Sequence, residues 1–340
     1  MILIALTRNI KFLLLVSFVA LVGCNKSEPV ENEVLCPLRI SIQYEADDYL
    51  CVGPDGAKLD GRKSGLSIDK DSKIRYVVRV FPIKGTTTST QWVDECYIYK
   101  KISEGYNHEL SLDLKPGNYE IMVWSDLSQT DVNHSVYDVD DFSDIVLLKE
   151  YQGGNDYQDA FRGSAKVDLS GEDDMEYSLS IVMQRPLAKF EFISTDLAEF
   201  VSREMNRQKA KSSNNGVNLA DYTVKFYYVG FVPTAYSIYS DRPSDSRTDV
   251  MFSSSLEKIS ESDVSLGSDY VFVNNKTSAI TIQVGVYDLE KTLVSLTSSI
   301  KVPLNRNFCT VMSGSFLIQK SSGGIQLDPN YSGDFKIELQ

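Results

Sequence analysis

The chain has 340 residues, a length that predicts two domains, and carries 34 Lys plus Arg against 47 Asp plus Glu, a formal net charge of −13. That sign argues against a nucleic-acid binder, because phosphate neutralisation needs a basic face. Hydrophobic residues make up 42%, with 19 Tyr and 15 Phe. The chain therefore has material for a sizeable core and lacks the composition of a disordered one. Its two histidines, His108 and His134, leave imidazole catalysis and zinc binding little to work with.

At the amino terminus Arg8 and Lys11 border the apolar run FLLLVSFVALV, residues 12–22. That run is too short for a spanning helix of about 20 apolar residues but suits the core of a signal peptide. It ends in Leu21-Val22-Gly23-Cys24, which resembles a bacterial lipobox. Residues 1–23 are thus expected to be a signal peptide and Cys24 the lipid-attachment residue. The alternative is an ordinary signal peptide followed by a chance cysteine. Residues 24–35, polar and holding Pro29, read as a lipidated tether. Asn25 follows Cys24; in the resemblance to enterobacterial lipoproteins an Asp there would imply inner-membrane retention, and its absence leans towards the outer membrane.

Four further cysteines remain, Cys36, Cys51, Cys96 and Cys309. In an exported chain they permit two disulfides with three possible pairings, and they equally permit four buried reduced thiols.

The rest reads as strands. LRISIQY (38–44) alternates, with Leu38, Ile40, Ile42 and Tyr44 on one face. A polar, Gly-rich loop is expected over 45–73, then strands at IRYVVRVF (74–81), WVDECYIYK (92–100), HELSLDL (108–114) and YEIMVW (119–124). Period-2 alternation bounded by Pro, Gly and Asn is the mark of half-buried strands. An acidic loop is expected over 125–160, with Asp138, Asp140, Asp141 and Asp144; such loops can hold Ca²⁺, but EF-hand spacing is absent and a solvated loop is the simpler reading.

Strands follow at 164–168, 177–183 and near 184–192, and the domain junction is placed at 184/185. This gives an N-terminal β-sandwich over 36–184 and a C-terminal one over 185–340. In the second half, strands are expected at 222–231, 270–274, 279–287, 293–302, 309–319 and 335–339, and a long Ser/Asp-rich loop at 233–268. Helical periodicity supports only 197–211 and a short piece near 252–260. Two consecutive β-sandwiches satisfy sheets with one apolar face each. The three long loops are where recognition is expected.

Several segments resemble a known family. Leu114-Lys115-Pro116-Gly117-Asn118-Tyr119, followed by Val123-Trp124, is similar to the L-x-P-G-x-Y…W segment of the FimB/Mfa2-type fimbrial proteins of Bacteroidetes. Cys36-Pro37-Leu38-Arg39-Ile40 looks like the start of those domains. Arg185-Pro186-Leu187-Ala188-Lys189 resembles the R-x-x-A-K/R strand of fimbrillins. Val302 to Thr310 (VPLNRNFCT), with Gly314-Ser315-Phe316-Leu317, resembles their P-L-x-R-N-x-x-T…G-x-L-L segment. Phe316 departs from the Leu of that pattern. The ending, residues 325–339, is also of this type. The matches run in order over roughly residues 36–339 and are specific to the superfamily, without separating anchor, stalk and tip subunits.

The resemblance implies two transthyretin-like Greek-key β-sandwich domains in a type V pilus-like lipoprotein. It also implies assembly by strand donation. In polymerising members an arginine-specific protease removes an N-terminal strand, and the groove accepts a neighbour's strand through backbone hydrogen bonds and alternating pockets. Anchor members keep lipid and first strand. Here Arg62, expected in the Gly-rich loop, is the candidate protease site, and the lack of an earlier one leans towards an anchor. Phe335, Ile337 and Leu339 form the candidate donor strand. Expected partners are other fimbrial subunits and the outer membrane, with no cofactor. A second reading is a non-polymerising surface lipoprotein that binds glycan or host protein, with Tyr137, Tyr151 and Tyr157 as stacking residues. No G-x-S-x-G, H-E-x-x-H, P-loop or dinucleotide fingerprint occurs, so no enzyme is expected.

Overall fold

The computed structural model describes residues 34–318 except 46–47, 65–67, 70, 129–134, 149–150, 152, 172–175, 211–215 and 275–276. Cys24, Phe335, Ile337 and Leu339 therefore lie outside the described residues. In chain order the first strands are β1 (Cys36–Tyr44), β2 (Tyr49–Val52), β3 (Lys58–Ser64), β4 (Lys73–Lys84), β5 (Thr87–Thr88) and β6 (Asp94–Lys101). Next come β7 (His108–Leu114), β8 (Asn118–Ser128), β9 (Tyr137–Asp138), β10 (Ile145–Leu147), β11 (Ala160–Asp168), β12 (Tyr177–Met183) and β13 (Leu187–Ser194). Helix α1 (Leu197–Ala210) precedes β14 (Thr223–Tyr228), β15 (Val232–Ser237), β16 (Arg242–Arg247), β17 (Met251–Ser255), β18 (Glu257–Lys258) and β19 (Val264–Phe272). The last are β20 (Ser278–Tyr287), β21 (Leu293–Leu296), β22 (Ile300–Leu304) and β23 (Phe308–Gly314).

The architecture is all-β with one α-helix. One sandwich stacks the sheet β12-β1-β7 on the sheet β11-β8-β4, which β6 extends. Its core holds Leu38, Ile40, Ile42, Ile74, Tyr76, Val78, Ile121, Val123 and Ile181. The other stacks β18-β19-β13-β23-β2-β3 on β17-β14-β20, with β21 and β22 beside β20. Phe190, Phe192, Phe226, Phe252, Val284 and Met312 fill that core.

Between them lies a third core, built from Val77, Phe81 and Trp124 on one side and Leu187, Phe272, Cys309 and Val311 on the other. The small sheet β16-β15-β10-β9 closes it with Tyr137, Ile145 and Tyr236. β4 and β13 are thus buried on both faces, which explains why 74–81 and 187–194 read as near-continuous apolar runs rather than clean alternations.

Strand pairing crosses the 184/185 boundary in two places. β2 runs parallel to β23, with Cys51 opposite Cys309, and β10 pairs with β15. The described residues from 35 onward form one compact unit.

Three expectations are corrected. The piece near 252–260 is not helical but forms β17 and β18; Phe252 alternates with exposed neighbours and stacks on Phe226, with centroids 4.5 Å apart. The loops expected at 45–73, 125–160 and 233–268 carry β2 and β3, the end of β8 with β9 and β10, and β15 to β18. β2, β3, β9, β10 and β15 to β18 are two to seven residues long, so alternation had too few positions to register. The span 293–302 is split, β21 and β22 both pairing with β20.

The Pro116-Gly117 turn is locked as its residue types suggest. The Tyr119 hydroxyl donates to the Lys115 carbonyl at 3.0 Å. The ring lies so close over Gly117 that a Cβ there would meet it at 3.3 Å.

Candidate assembly site

β1 fills a slot between two strands. It runs parallel to β12, from Leu38 opposite Tyr177 to Tyr44 opposite Met183, and antiparallel to β7, from Cys36 opposite Leu114 to Ile42 opposite His108. Leu38, Ile40 and Ile42 are 0% exposed, while Pro37, Arg39 and Gln43 face outward. Three fully buried aliphatic side chains contribute roughly 5–9 kcal/mol. At the end of the strand the Tyr44 hydroxyl hydrogen-bonds the Ser125 hydroxyl at 2.7 Å, and its ring packs edge-on to Phe161. Taking β1 away would expose two facing rows of backbone donors and acceptors above three apolar pockets, the chemistry that accepts an added strand.

Arg62 lies in β3, not in a loop. Its neighbours Lys63 and Ser64 pair with Leu50 and Tyr49 of β2, and its guanidinium donates to Glu191 at 2.8 Å. A protease needs an unpaired extended backbone, so the ladder and the ion pair both oppose cleavage here. Cleavage after Arg62 would detach β2 as well as β1, including the buried Tyr49 and Cys51. Arg39 sits mid-strand in β1, and Arg75 and Arg79 sit in β4 between β8 and β6.

The cysteines divide between two cores. Cys36 is buried in the core beneath β1 and donates to the Leu169 carbonyl at 3.6 Å; Cys96 is half-buried against the same core. Cys51 and Cys309 are both buried in the middle core. All four carry free thiols in this structure.

Some of the residues behind the family resemblance, among them Trp124, Arg185, Lys189 and Arg306, lie in or beside the middle core, where they meet acids that sequence reasoning missed. Arg185 is 2% exposed rather than a solvated strand end. It forks onto Asp159 at 2.9–3.1 Å, donates to Asn307 Oδ1 at 2.7 Å, and lies between the rings of Tyr49 and Phe161. Tyr49 also donates to Asp159, and burial pushes its hydroxyl pKa well above the ordinary value.

Lys189 pairs with Asp156, to which the Tyr270 hydroxyl also donates. Arg306 and Arg162 both pair with Asp241, and Arg306 reaches the Tyr236 hydroxyl and the Val273 carbonyl. Arg75 forks onto Asp126, which accepts from the Trp124 indole as well. Burial raises the Asp126 carboxyl pKa above its ordinary value, with Arg75 opposing. Asn307 has φ +64°, a conformation Asn tolerates, and this turn places Arg306 on one side and starts β23 on the other. Arg185–Asp159, Lys189–Asp156 and Arg162–Asp241 tie the two halves of the chain together, while Arg75–Asp126 braces β4 against β8. The available signal was an Arg or Lys inside an otherwise apolar strand, as in IRYVVRVF.

The acidic segment is also used internally. Asp138 caps the Asp140 amide, Asp141 accepts from Ser143, and Asp144 accepts from Ser244. Among the described residues no group of three or more His, Cys, Asp or Glu is placed to hold a metal ion. Tyr137 is buried against Trp124, Tyr157 hydrogen-bonds Ser72, and Tyr151 donates to Asp269 at 2.6 Å. None of the three forms an exposed stacking platform, contrary to the glycan-binding expectation. Asp269 is fully buried without a cation, held by the Tyr151 and Tyr228 hydroxyls and the Tyr270 amide. Burial raises its pKa to about 6.

The profile of the Family of unknown function (DUF6562) matches residues 47–340. The chain belongs to the DUF6562 family. No curated protein matches it. Among solved structures, this DUF6562 chain is similar to a candidate adhesin of Bacteroides ovatus, at 11% identity and TM-score 0.45, over 92% of this chain and 96% of the other. It is also similar to the fimbrial anchor protein Mfa2 of Porphyromonas gingivalis, at 10% identity and TM-score 0.40, over 77% and 82%. A third is the C-terminally truncated tip fimbrial protein Mfa3 of Porphyromonas gingivalis, at 9% identity and TM-score 0.34, over 79% and 81%.

Proposed function

We propose that this DUF6562 protein is a fimbrial, type V pilus-like structural or anchor lipoprotein of the outer membrane. Cys24 carries the lipid, β1 stays in its own slot, and the segment holding Phe335, Ile337 and Leu339 is donated to the next subunit. The observation that carries this reading is β1 itself. It is an N-terminal strand with its whole apolar row buried and ladders on both sides, which supports a reading in which the slot is filled by the chain's own first strand. Arg62, within β3 and ion-paired to Glu191, supports retention of that strand.

The route to the donor segment fits as well. The described chain leaves β23 with Leu317 and Ile318 amides bound to Asp196, and Arg203 donates to their carbonyls. Ile318, the last described residue, is therefore held at the head of α1. The role is adhesion and assembly, not catalysis, and the buried acids are consumed by Arg, Lys and Tyr partners. The test is deletion of residues 331–340. Unchanged thermal stability of the monomer with loss of incorporation into SDS-resistant assemblies is the expected result. A large fall in monomer stability would mean that the segment packs at home.

A further inference from the structure

Cys51 and Cys309 occupy directly paired positions on adjacent parallel strands, β2 and β23. Paired positions on neighbouring strands lie about 5 Å apart and point to the same face. That Cα separation is within the range that a disulfide spans, about 4.4–6.8 Å. Both side chains are buried, 1% and 0% exposed, in the middle core. On the β3 side the ladder skips Cys51, since Leu50 pairs with Lys63 and Val52 with Lys58. The only cysteine facing Cys51 across a described ladder is Cys309. Cys36 is committed to Leu169 in another core, and Cys96 lies on β6 against that core.

We propose that Cys51 and Cys309 form a disulfide in the exported protein, locking the amino-terminal strands covalently into the carboxy-terminal sheet. The oxidant is the disulfide of a thiol oxidoreductase or of a small-molecule thiol. One cysteine thiolate attacks that disulfide, forming a mixed disulfide and releasing one thiolate of the oxidant. The second cysteine thiolate then attacks the mixed disulfide, forming the Cys51–Cys309 bond and releasing the second. Two electrons pass to the oxidant as its two thiols form, and two protons leave the cysteines.

In the folded protein the Cys309 thiol is hydrogen-bonded to Cys51 and buried, both of which hold it protonated. Exchange needs the thiolate, so the bond forms before β2 docks against β23. Once closed, it spans most of the chain and keeps residues 36–62 attached even if the backbone is cut at Arg62. As a device for retaining β1, this consequence rests on the assembly reading above; the bond itself does not.

The full chain, exported to an oxidising periplasm, would be trapped with an alkylating reagent under denaturing conditions and mapped by non-reducing proteolysis. The expected result is one cross-linked pair joining the peptides of Cys51 and Cys309, with Cys36 and Cys96 alkylated. Alkylated Cys51 and Cys309, or either linked to Cys36 or Cys96, would overturn the proposal. A second arm digests the denatured, unreduced protein with an arginine-specific protease. The fragment containing Cys51 is expected to leave the Cys309 fragment only after reduction, and its release without reductant would overturn the lock. Neither arm depends on assembly, so the disulfide and the assembly reading fail separately.

Discussion

Arg185 shows what single residues do in this fold. Its guanidinium and the Asp159 carboxylate are both removed from water, and each is satisfied by the other, by Asn307 and by Tyr49. Breaking such a pair leaves a buried uncompensated charge, so Arg185→Ala is expected to cost about 3–5 kcal/mol in urea unfolding. Arg185→Met with Asp159→Leu is expected to recover a large part of that loss, because neither charge is then stranded. Equal losses in the single and double variants would contradict the pairing.

Asp269 behaves differently, because no cation compensates it. Its folded-state pKa of about 6 exceeds the unfolded carboxylate value. The folded state therefore holds the proton more tightly, and this stabilisation is fully present below about pH 4. It is lost as pH rises through about 6, with a total of about 3 kcal/mol. Wild type minus Asp269→Asn stability should therefore be more favourable at pH 4 than at pH 7 by about that amount. Parallel pH profiles would remove Asp269 as the source. At this scale the sequence showed the motif residues but not their partners. Arg185 and Arg306 stand out by pattern, whereas Asp159 and Asp241 are two acids among 47 and become visible only when the chain brings them together.

At the scale of elements, strand length decided what could be read in advance. Residues 38–44, 108–114 and 177–183 are strands in the structure, each alternating over seven or more residues with one face on a single core. Helix α1 was legible too, since Leu197, Phe200 and Glu204 recur at helical spacing and are buried. β9, β10, β15 and β16 were not, because they are two to six residues long and their stability comes from closing the middle core, and β17 and β18 are as short.

Gly163 marks another feature that sequence alone did not show. β11 passes so close to β12 that an added Cβ would come within 2.7 Å of Ile181 and 2.9 Å of the Val182 carbonyl. Gly163→Val is therefore expected to destabilise by about 1–3 kcal/mol or more, measured by urea unfolding. A neutral result would mean that the two strands are further apart. β1 offers the sharper test, since Ile40→Asn puts an amide into a wholly apolar pocket and is expected to cost about 3–5 kcal/mol.

At the scale of the whole molecule, the middle core makes the two sandwiches interdependent. β2 and β3 leave the amino-terminal third of the chain to join the sheet of β13 and β23, and the pairs Arg185–Asp159, Lys189–Asp156 and Arg162–Asp241 cross the same junction. Trp124 is buried in the middle core, so in a Trp92→Phe variant, which removes the second, exposed tryptophan, the fluorescence reports on that junction. Fluorescence and far-ultraviolet circular dichroism are expected to give coincident unfolding transitions. An earlier fluorescence transition would mean that the junction opens before the sandwiches melt.

We propose that the protein keeps its lipid and its first strand while engaging other subunits. The most direct measurement is the mature amino terminus of the surface protein, read by mass spectrometry on material from SDS-resistant assemblies. An acylated Cys24 followed by an intact β1 is the predicted result. An amino terminus beginning after Arg62, without lipid, would contradict the account and make the protein a polymerising subunit.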